Sequence, residues 1–168
     1  MSDSSDHIED HIPRLRRYAR ALTGDSARAD DLVQDTLERA WTRLALWQRG
    51  SDLRAWLFTL MHNVFVNQVT RQAARREDPL LDEDPLIPVE GAQERALETR
   101  DLIAALERLP LEQREVLLLV GLEGLRYEEV AQVLGIPAGT VMSRLARGRE
   151  RLRLLMSGAS QPALRRVK

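Results

Sequence analysis

Apolar residues recur every three or four positions along most of the chain, and one proline-rich, acidic segment interrupts them. This period places an apolar stripe along one face of an α-helix. The interruption, 77–92, contains Pro79, Pro85 and Pro88, and it has five acidic residues before Leu86. Clustered prolines disfavour a helix, and the charge disfavours a core. Because we find neither strand-like alternation nor an internal repeat, the sequence predicts an all-α fold of two small helical domains joined by a flexible acidic linker.

These boundaries predict a first domain at 1–76, a linker at 77–92 and a second domain at 93–168. We expect residues 1–9 to be disordered and residues 157–168 to be frayed. The periodic segments predict helices at about 12–22, 26–47, 53 onward, 93–108, 111–121, 127–134 and 137–155. Each domain is close to the size at which a single core is only marginally stable, so both would gain from docking onto a partner.

The distribution of charge matters more than the net charge of −1. Residues 11–76 hold twelve basic and six acidic side chains, and residues 126–168 hold nine and three. Residues 77–101 reverse the balance, with nine acidic and two basic side chains. Apart from Lys168 every basic residue is arginine, whose planar fork of donors suits phosphates and base edges. The pattern favours two basic domains that face nucleic acid, offset by an acidic linker and an acidic N-terminal tail.

Several classes of protein are excluded by composition. The chain has no cysteine, which rules out disulfide scaffolds, thiolate metal sites and cysteine nucleophiles. No apolar run approaches the roughly 20 residues of a membrane span, and the polar N-terminus is not a signal peptide. His7 and His11 lack a third ligand at helical spacing, and no glycine-rich phosphate loop is present. We therefore expect a cytoplasmic protein without membrane insertion, and neither an enzyme, a metal site nor a cofactor.

The most specific pattern is a helix-turn-helix at 127–153. Gly135 offers the permissive backbone that a tight turn needs, and Pro137 suits the first turn of the following helix. The predicted inward face consists of Val130, Ala131, Leu134, Val141 and Leu145. The second helix of such a unit enters the major groove. Its outward face carries Thr140, Ser143, Arg144, Arg147, Arg149, Arg151 and Arg153, and clustered arginines neutralise phosphates and contact guanine. The sequence therefore predicts DNA binding.

Three blocks, in this order, resemble the extracytoplasmic-function sigma factors, the small two-domain class of bacterial RNA polymerase specificity subunits. Residues 29–41 resemble the helix that binds core polymerase, residues 52–76 the helix that recognises and opens the −10 element, and residues 106–153 the −35-binding domain. The resemblance covers about residues 10–155. It implies a subunit that directs core polymerase to specific promoters and initiates transcription. The implied partners are promoter DNA, the largest-subunit clamp helices and flap of core RNA polymerase, and an anti-sigma factor.

Site residues follow from the resemblance by motif position. It implies contacts with core polymerase from Asp31, Gln34, Asp35 and Trp41. It implies −10 DNA contacts from Arg49, Ser51, Asn63, Asn67, Arg71 and Arg75, the last four of which recur every four residues. It implies −35 DNA contacts from Thr140, Met142, Ser143, Arg144, Ala146, Arg147 and Arg149. Many relatives carry a basic residue at the position of Met142 and a bulkier residue at the position of Ala146. Because this chain lacks both, the expected readout of the −35 element shifts toward Arg144 and Arg147.

The loop from Trp47 to Asp52 would capture a base flipped from the non-template strand and offset part of the few kcal/mol that extraction costs. Which loop side chains line that pocket stays open. Trp47 is equally compatible with a core position, and we expect Trp41 and Trp56 to be partly core.

Two other functions are compatible with parts of the sequence. An autonomous helix-turn-helix regulator would bind its operator tightly without polymerase, but it leaves the blocks at 29–41 and 52–76 unexplained. A sigma-like decoy would bind only a protein and sequester an anti-sigma factor. The intact basic positions of the second domain argue against the decoy.

Overall fold

The computed structural model describes residues 7–47, 51–76 and 94–158, and within these ranges every regular element is helical. The helices are α1 (Ile8–Thr23), α2 (Ser26–Arg43), α3 (Leu53–Arg76), α4 (Glu94–Glu107), α5 (Leu111–Leu117), α6 (Tyr127–Leu134) and α7 (Ala138–Met156). A short 3-10 turn at Leu44–Leu46 follows α2, and a π-helical segment at Leu118–Leu122 continues α5. The all-α fold is confirmed.

The first three helices pack around one apolar core. Helix α1 ends at Gly24, which adopts the left-handed conformation (φ 72°), and Asp25 then caps α2 by accepting a 2.8 Å hydrogen bond from the backbone N–H of Ala27. Tyr18 of α1 meets Phe58 of α3 edge to face, with ring centroids 5.1 Å apart. The fully buried side chains of this half include Leu15, Leu22, Leu32, Leu57, Phe58 and Met61.

Two expectations about this half are wrong. Of the residues 1–9 that we expected to be disordered, 1–6 lie outside the described residues, but Ile8 and Glu9 belong to α1. Ile8 is 2% exposed because it continues the apolar stripe of Ile12 and Leu15 one turn further. We also expected Trp41 to be partly core, but it is 49% exposed at the end of α2. Trp56, by contrast, packs against the core as expected.

The helix-turn-helix is confirmed in its local geometry. Helix α6 ends at Gly135 (φ 67°), whose N–H donates to the carbonyl of Ala131, and α7 begins directly after Pro137. Val130 and Val141 are fully buried, as predicted. Val133, which we had not assigned to the core, is also buried.

Gly148 lies buried in the middle of α7, where the helix crosses α5. A Cβ at this position would lie 3.1 Å from Cδ1 of Leu117 and 3.3 Å from Cβ of Gln113. We expect Gly148→Val to lower the free energy of unfolding by about 1–3 kcal/mol, because overpacking forces side chains off their rotamers. Urea unfolding checks this, with Gly139→Val as the matched control in the same helix, since nothing lies within 4 Å of a Cβ there. If Gly148→Val and Gly139→Val lowered the free energy of unfolding equally, the packing argument would be contradicted.

The two halves also pack against each other, which the sequence did not predict. Helix α3 contacts α6, and α1 contacts both α4 and the π-helical segment. Their buried apolar side chains form one continuous cluster that runs from Ile8 to Leu145. The two helical domains therefore share one apolar interface in this structure.

Two buried glutamates of the second half lie in this interface. Glu115 is 6% exposed, and its Oε1 forms a 2.8 Å hydrogen bond with Nδ1 of His62. Glu123 is 4% exposed, and its Oε1 accepts from Arg17 Nη2 at 3.3 Å. Arg54 Nη1 donates to the backbone carbonyl of Glu123 at 3.1 Å. Each carboxylate thus takes its partner from the first half of the chain.

Arg114 of the second half also contacts the first half, in this case as a hydrogen-bond donor. Its Nη1 donates a 2.7 Å hydrogen bond to the carbonyl of Leu22, one of the carbonyls that the end of α1 leaves without a helical partner. Its Nη2 donates to the carbonyls of Glu107 and Leu109. Burial lowers the pKa of Arg114, although the negative charges of Glu107 and Glu115 oppose that shift.

Burial of Glu123 makes the stability of the fold depend on pH. Desolvation raises the pKa of this carboxyl above its ordinary value of 4.5, and the neighbouring Arg17 only partly reverses the shift. Because the folded pKa is the higher one, the contribution to stability is present below about pH 4.5 and is lost as the pH rises through the folded pKa. We expect Glu123→Gln to gain stability relative to the wild-type chain as the pH rises from about 4 to about 8.

Urea unfolding midpoints at the two pH values measure this difference, with Glu38→Gln, an exposed glutamate of α2, as the control. A difference between Glu123→Gln and the wild type that stays constant across this range would contradict the assignment.

Candidate functional site

The four side chains assigned to polymerase contact lie on the outward face of α2. Asp31, Gln34 and Asp35 are exposed, as is Trp41. The opposite face is buried in the first-half core through Leu32, Val33 and Thr36. Asp35 is held in place by α3, because its Oδ2 accepts a 2.8 Å hydrogen bond from Nε2 of Gln68.

A groove of about 580 Å³ runs beside this face, between α2, the C-terminal half of α3 and the start of α5. Asp31 and Asp35 line it together with the basic side chains Arg28, Arg71 and Arg75. Its apolar floor includes Phe65, which is 6% exposed. The groove therefore joins the predicted polymerase face to part of the predicted −10 stripe.

The −10 stripe is exposed along its full length. Asn63, Asn67, Arg71 and Arg75 all face outward from α3. Behind them Met61, Val64 and Phe65 are buried, so the helix presents one polar and one apolar face. Asparagine amides and arginine guanidinium groups arranged in this way can contact base edges and backbone phosphates.

The loop before α3 is described only in part. Ser51 is exposed, whereas Arg49 lies outside the described residues. Trp47 is half-buried and packs against the core, which agrees with the core interpretation of this residue. Leu46, which the sequence did not single out, is 78% exposed at the start of the loop.

On α7 the structure separates the predicted −35 residues into two groups. Met142, at 52% exposure, faces solvent together with Ala146, Arg147 and Arg149. Thr140 and Ser143 are half-buried, and the hydroxyl of Ser143 donates to the carbonyl of Thr140 at 3.1 Å. These two side chains are therefore less accessible to a ligand than the four exposed ones.

Arg144 differs from Arg147 in its surroundings. Its side chain is 28% exposed, and Nη2 lies 3.4 Å from Oε2 of Glu112 on α5. This ion pair holds Arg144 against its own domain. An exposed pair of this kind is weak, so DNA phosphates can compete for the guanidinium. Arg147 is exposed and is the better placed of the two for direct readout.

The described residues contain no cluster of three or more histidine, cysteine or acidic side chains that could hold a metal ion. Among those same residues, no helix is both long and apolar enough to cross a membrane. The candidate site consists of exposed polar surfaces.

Two family models match the chain. Residues 8–62 match the Sigma2 domain of PhyR, and residues 99–152 match Sigma-70, region 4. The first match covers α1, α2 and the start of α3, and the second covers the helix-turn-helix and the helices before it.

Known relatives match over nearly the full chain. The ECF RNA polymerase sigma factor EcfG of Rhodopseudomonas palustris (strain TIE-1) is 40% identical over 157 residues, which are 93% of this chain and 87% of that protein. The sigma factor RpoE of Bartonella quintana, solved in complex with the anti-sigma factor NepR, superposes with a TM-score of 0.77 at 34% identity, covering 89% of this chain and 94% of RpoE. CnrH, solved in complex with the cytosolic domain of CnrY, superposes with a TM-score of 0.67 at 28% identity, covering 90% of this chain and 85% of CnrH.

Proposed function

Since the chain belongs to the extracytoplasmic-function (ECF) RNA polymerase sigma factors, we propose that its three exposed polar faces divide the work of promoter recognition. The family directs core RNA polymerase to specific promoters. In our proposal the outward face of α2 binds core polymerase, the stripe on α3 binds the −10 element, and α7 binds the −35 element. The domain boundaries of this proposal are 1–76, 77–92 and 93–168.

One observation carries the proposal. Each of the three helices is buried along one face, and most of its predicted contact residues lie along the exposed face. If these polar faces served only solubility, their residues would have no reason to coincide with the family's recognition motifs on three separate helices. The match between motif position and exposure supports the assigned roles of Asp31 on α2, Asn67 on α3 and Arg147 on α7.

The chain acts by binding rather than by catalysis. The chemistry of RNA synthesis belongs to the core enzyme, and this subunit supplies promoter choice and strand opening. Extracting a base from the −10 element costs a few kcal/mol of stacking and pairing, and a surface that binds the flipped base offsets part of that cost. In this proposal the exposed Leu46 provides such a surface.

An anti-sigma factor controls the chain in this proposal. RpoE of Bartonella quintana was solved in complex with the anti-sigma factor NepR, and this chain superposes on RpoE over both halves. That similarity supports control by a protein of the anti-sigma type.

A gel-shift comparison tests the proposal against an autonomous helix-turn-helix regulator. We expect the free chain to show little specific binding to promoter duplex, because each domain contacts only a few bases, and we expect specific binding once core polymerase is added. Tight, sequence-specific binding by the free chain, unchanged by polymerase, would instead support the autonomous regulator.

A further inference from the structure

An exposed apolar stripe lies on α7 beside its arginines. Gly139, Met142 and Ala146 are all exposed, and their spacing of three and four residues places them on one face of the helix. Met142 is apolar and yet 52% exposed. We propose that Met142, with Ala146 beside it, reads the methyl group of a thymine in the −35 element. This inference rests on the proposed function and deepens it, because it names the base chemistry that α7 recognises.

The stripe lies in the part of α7 that reads base edges in a helix-turn-helix. The helix begins at Ala138, shortly after the turn at Gly135, so Met142 and Ala146 fall in its N-terminal half. The N-terminal residues of the second helix of such a unit contact base edges in the major groove. At 1.5 Å per residue, Gly139 and Ala146 are about 10 Å apart along the axis, which corresponds to about three base pairs. The stripe therefore matches the size of a short run of base edges.

The side chains of the stripe limit what it can recognise. Gly139, Met142 and Ala146 have no side-chain hydrogen-bond donor, so they cannot make the paired hydrogen bonds with which arginine reads guanine and glutamine reads adenine. The C5-methyl group of thymine is the apolar feature that base pairs present in the major groove. Contact between this methyl group and the side chain of Met142 removes apolar surface of both from water. Among the four bases, thymine is therefore the one that the stripe favours.

The neighbours of Met142 leave room for a base. Gly139, almost one turn earlier, has no side chain, and nothing lies within 4 Å of the position that its Cβ would take. Ala146, one turn later, ends at its Cβ. Met142 is thus the longest side chain of the stripe, and its unbranched thioether can adjust to the position of the methyl group.

The charges along α7 favour DNA as the occupant of this face. Beyond Ala146 the helix carries four exposed arginines, which are Arg147, Arg149, Arg151 and Arg153. The single acidic residue of α7, Glu150, forms an ion pair with Arg153 at 2.7 Å. Phosphate contacts fix the orientation of a protein on the duplex, and base contacts supply the specificity. The arginines therefore set the register in which Met142 meets the base.

Replacing thymine by deoxyuridine tests the proposal, because uracil lacks the C5-methyl group and keeps the hydrogen-bonding groups of thymine. The chain is combined with core polymerase, and its affinity is measured for a promoter in which each thymine of the −35 element, on either strand, is replaced in turn. At one or two positions we expect binding to weaken by about 4-fold, which corresponds to one methyl group left unburied. At the other positions we expect no change.

Variants of Met142 assign the effect to this side chain. We expect Met142→Ala to bind the thymine and deoxyuridine promoters equally, and Met142→Leu, which keeps an apolar side chain of similar volume, to retain the difference. Met142→Gln keeps the length of the side chain but ends in an amide, so the difference should be lost. Leu154→Ala is the matched control, since it truncates another exposed apolar side chain of α7 and should leave the difference unchanged.

The outcomes separate this inference from the proposed function. If no replacement weakens binding, or if the weakening persists in Met142→Ala, Met142 does not read thymine and the inference fails while the proposed function stands. A −35 element without thymine on either strand would overturn it in the same way. If Met142→Ala weakens binding to core polymerase in the absence of DNA, the stripe is a protein contact instead. If the wild-type chain with core polymerase binds no promoter specifically, the proposed function itself fails.

Discussion

The double variant Asp31→Arg, Asp35→Arg is expected to lose binding to core RNA polymerase by at least about 100-fold, because charge mismatch across an interface costs several kcal/mol. Both carboxylates are exposed on α2, so the change removes two acceptors from the proposed docking face without disturbing the core. Asp35 loses one hydrogen bond, to Gln68, and that bond is itself exposed. Fluorescence anisotropy of the labelled chain, titrated with purified core polymerase, measures the effect.

Glu9→Arg is the control for this variant, since it reverses an exposed acidic side chain on α1, away from the proposed face. We expect Glu9→Arg to bind polymerase as the wild-type chain does. Equal weakening in both variants would assign the effect to net charge, and unchanged binding by the double variant would remove α2 from the polymerase interface.

The second large effect is expected at Arg147. Replacing this exposed arginine by alanine should weaken binding of the holoenzyme to its promoter by about 5- to 150-fold, because a direct contact to a base edge is worth about 1–3 kcal/mol. The loss should disappear on a promoter whose −35 element has been scrambled. Competition binding on the two promoters separates readout of the sequence from attraction to phosphates.

Arg16→Ala removes one exposed positive charge from α1 and serves as the matched control. We expect it to lower affinity equally, and only slightly, on both promoters. If Arg147→Ala behaves in the same way, Arg147 contacts phosphate alone and does not read the sequence.

Much of the fold could be predicted because it depends on local patterns. Apolar spacing located the helices, and Gly135 and Pro137 marked the turn of the helix-turn-helix. The predicted start of α1 was too late in the sequence. The N-terminal tail is polar overall, which hides that Ile8 continues the apolar stripe of the helix. The prediction that Trp41 is partly core was wrong. An aromatic residue on a helix is usually buried in the core, but Trp41 lies beyond the end of the core.

The interface between the halves could not be predicted because it pairs residues that lie far apart in the sequence. Glu115 and Glu123 look like surface residues until His62 and Arg17 are brought beside them. One signal was available, since both glutamates flank the strongly apolar stretch around Leu118. Similarly, Arg144 is less accessible than the sequence suggested, because it forms an ion pair with Glu112 on another helix.

Promoter-specific transcription in a purified system tests the central claim most directly. Core polymerase from the bacterium that encodes the chain is combined with the chain and a pool of its genomic promoter fragments, and the run-off transcripts are sequenced. Our account predicts transcripts from a subset of fragments that share a −35 and a −10 element, and their loss with the Asp31→Arg, Asp35→Arg variant. A chain that binds an anti-sigma factor yet yields no transcripts beyond those of core polymerase alone would contradict the account and identify a sigma-like decoy.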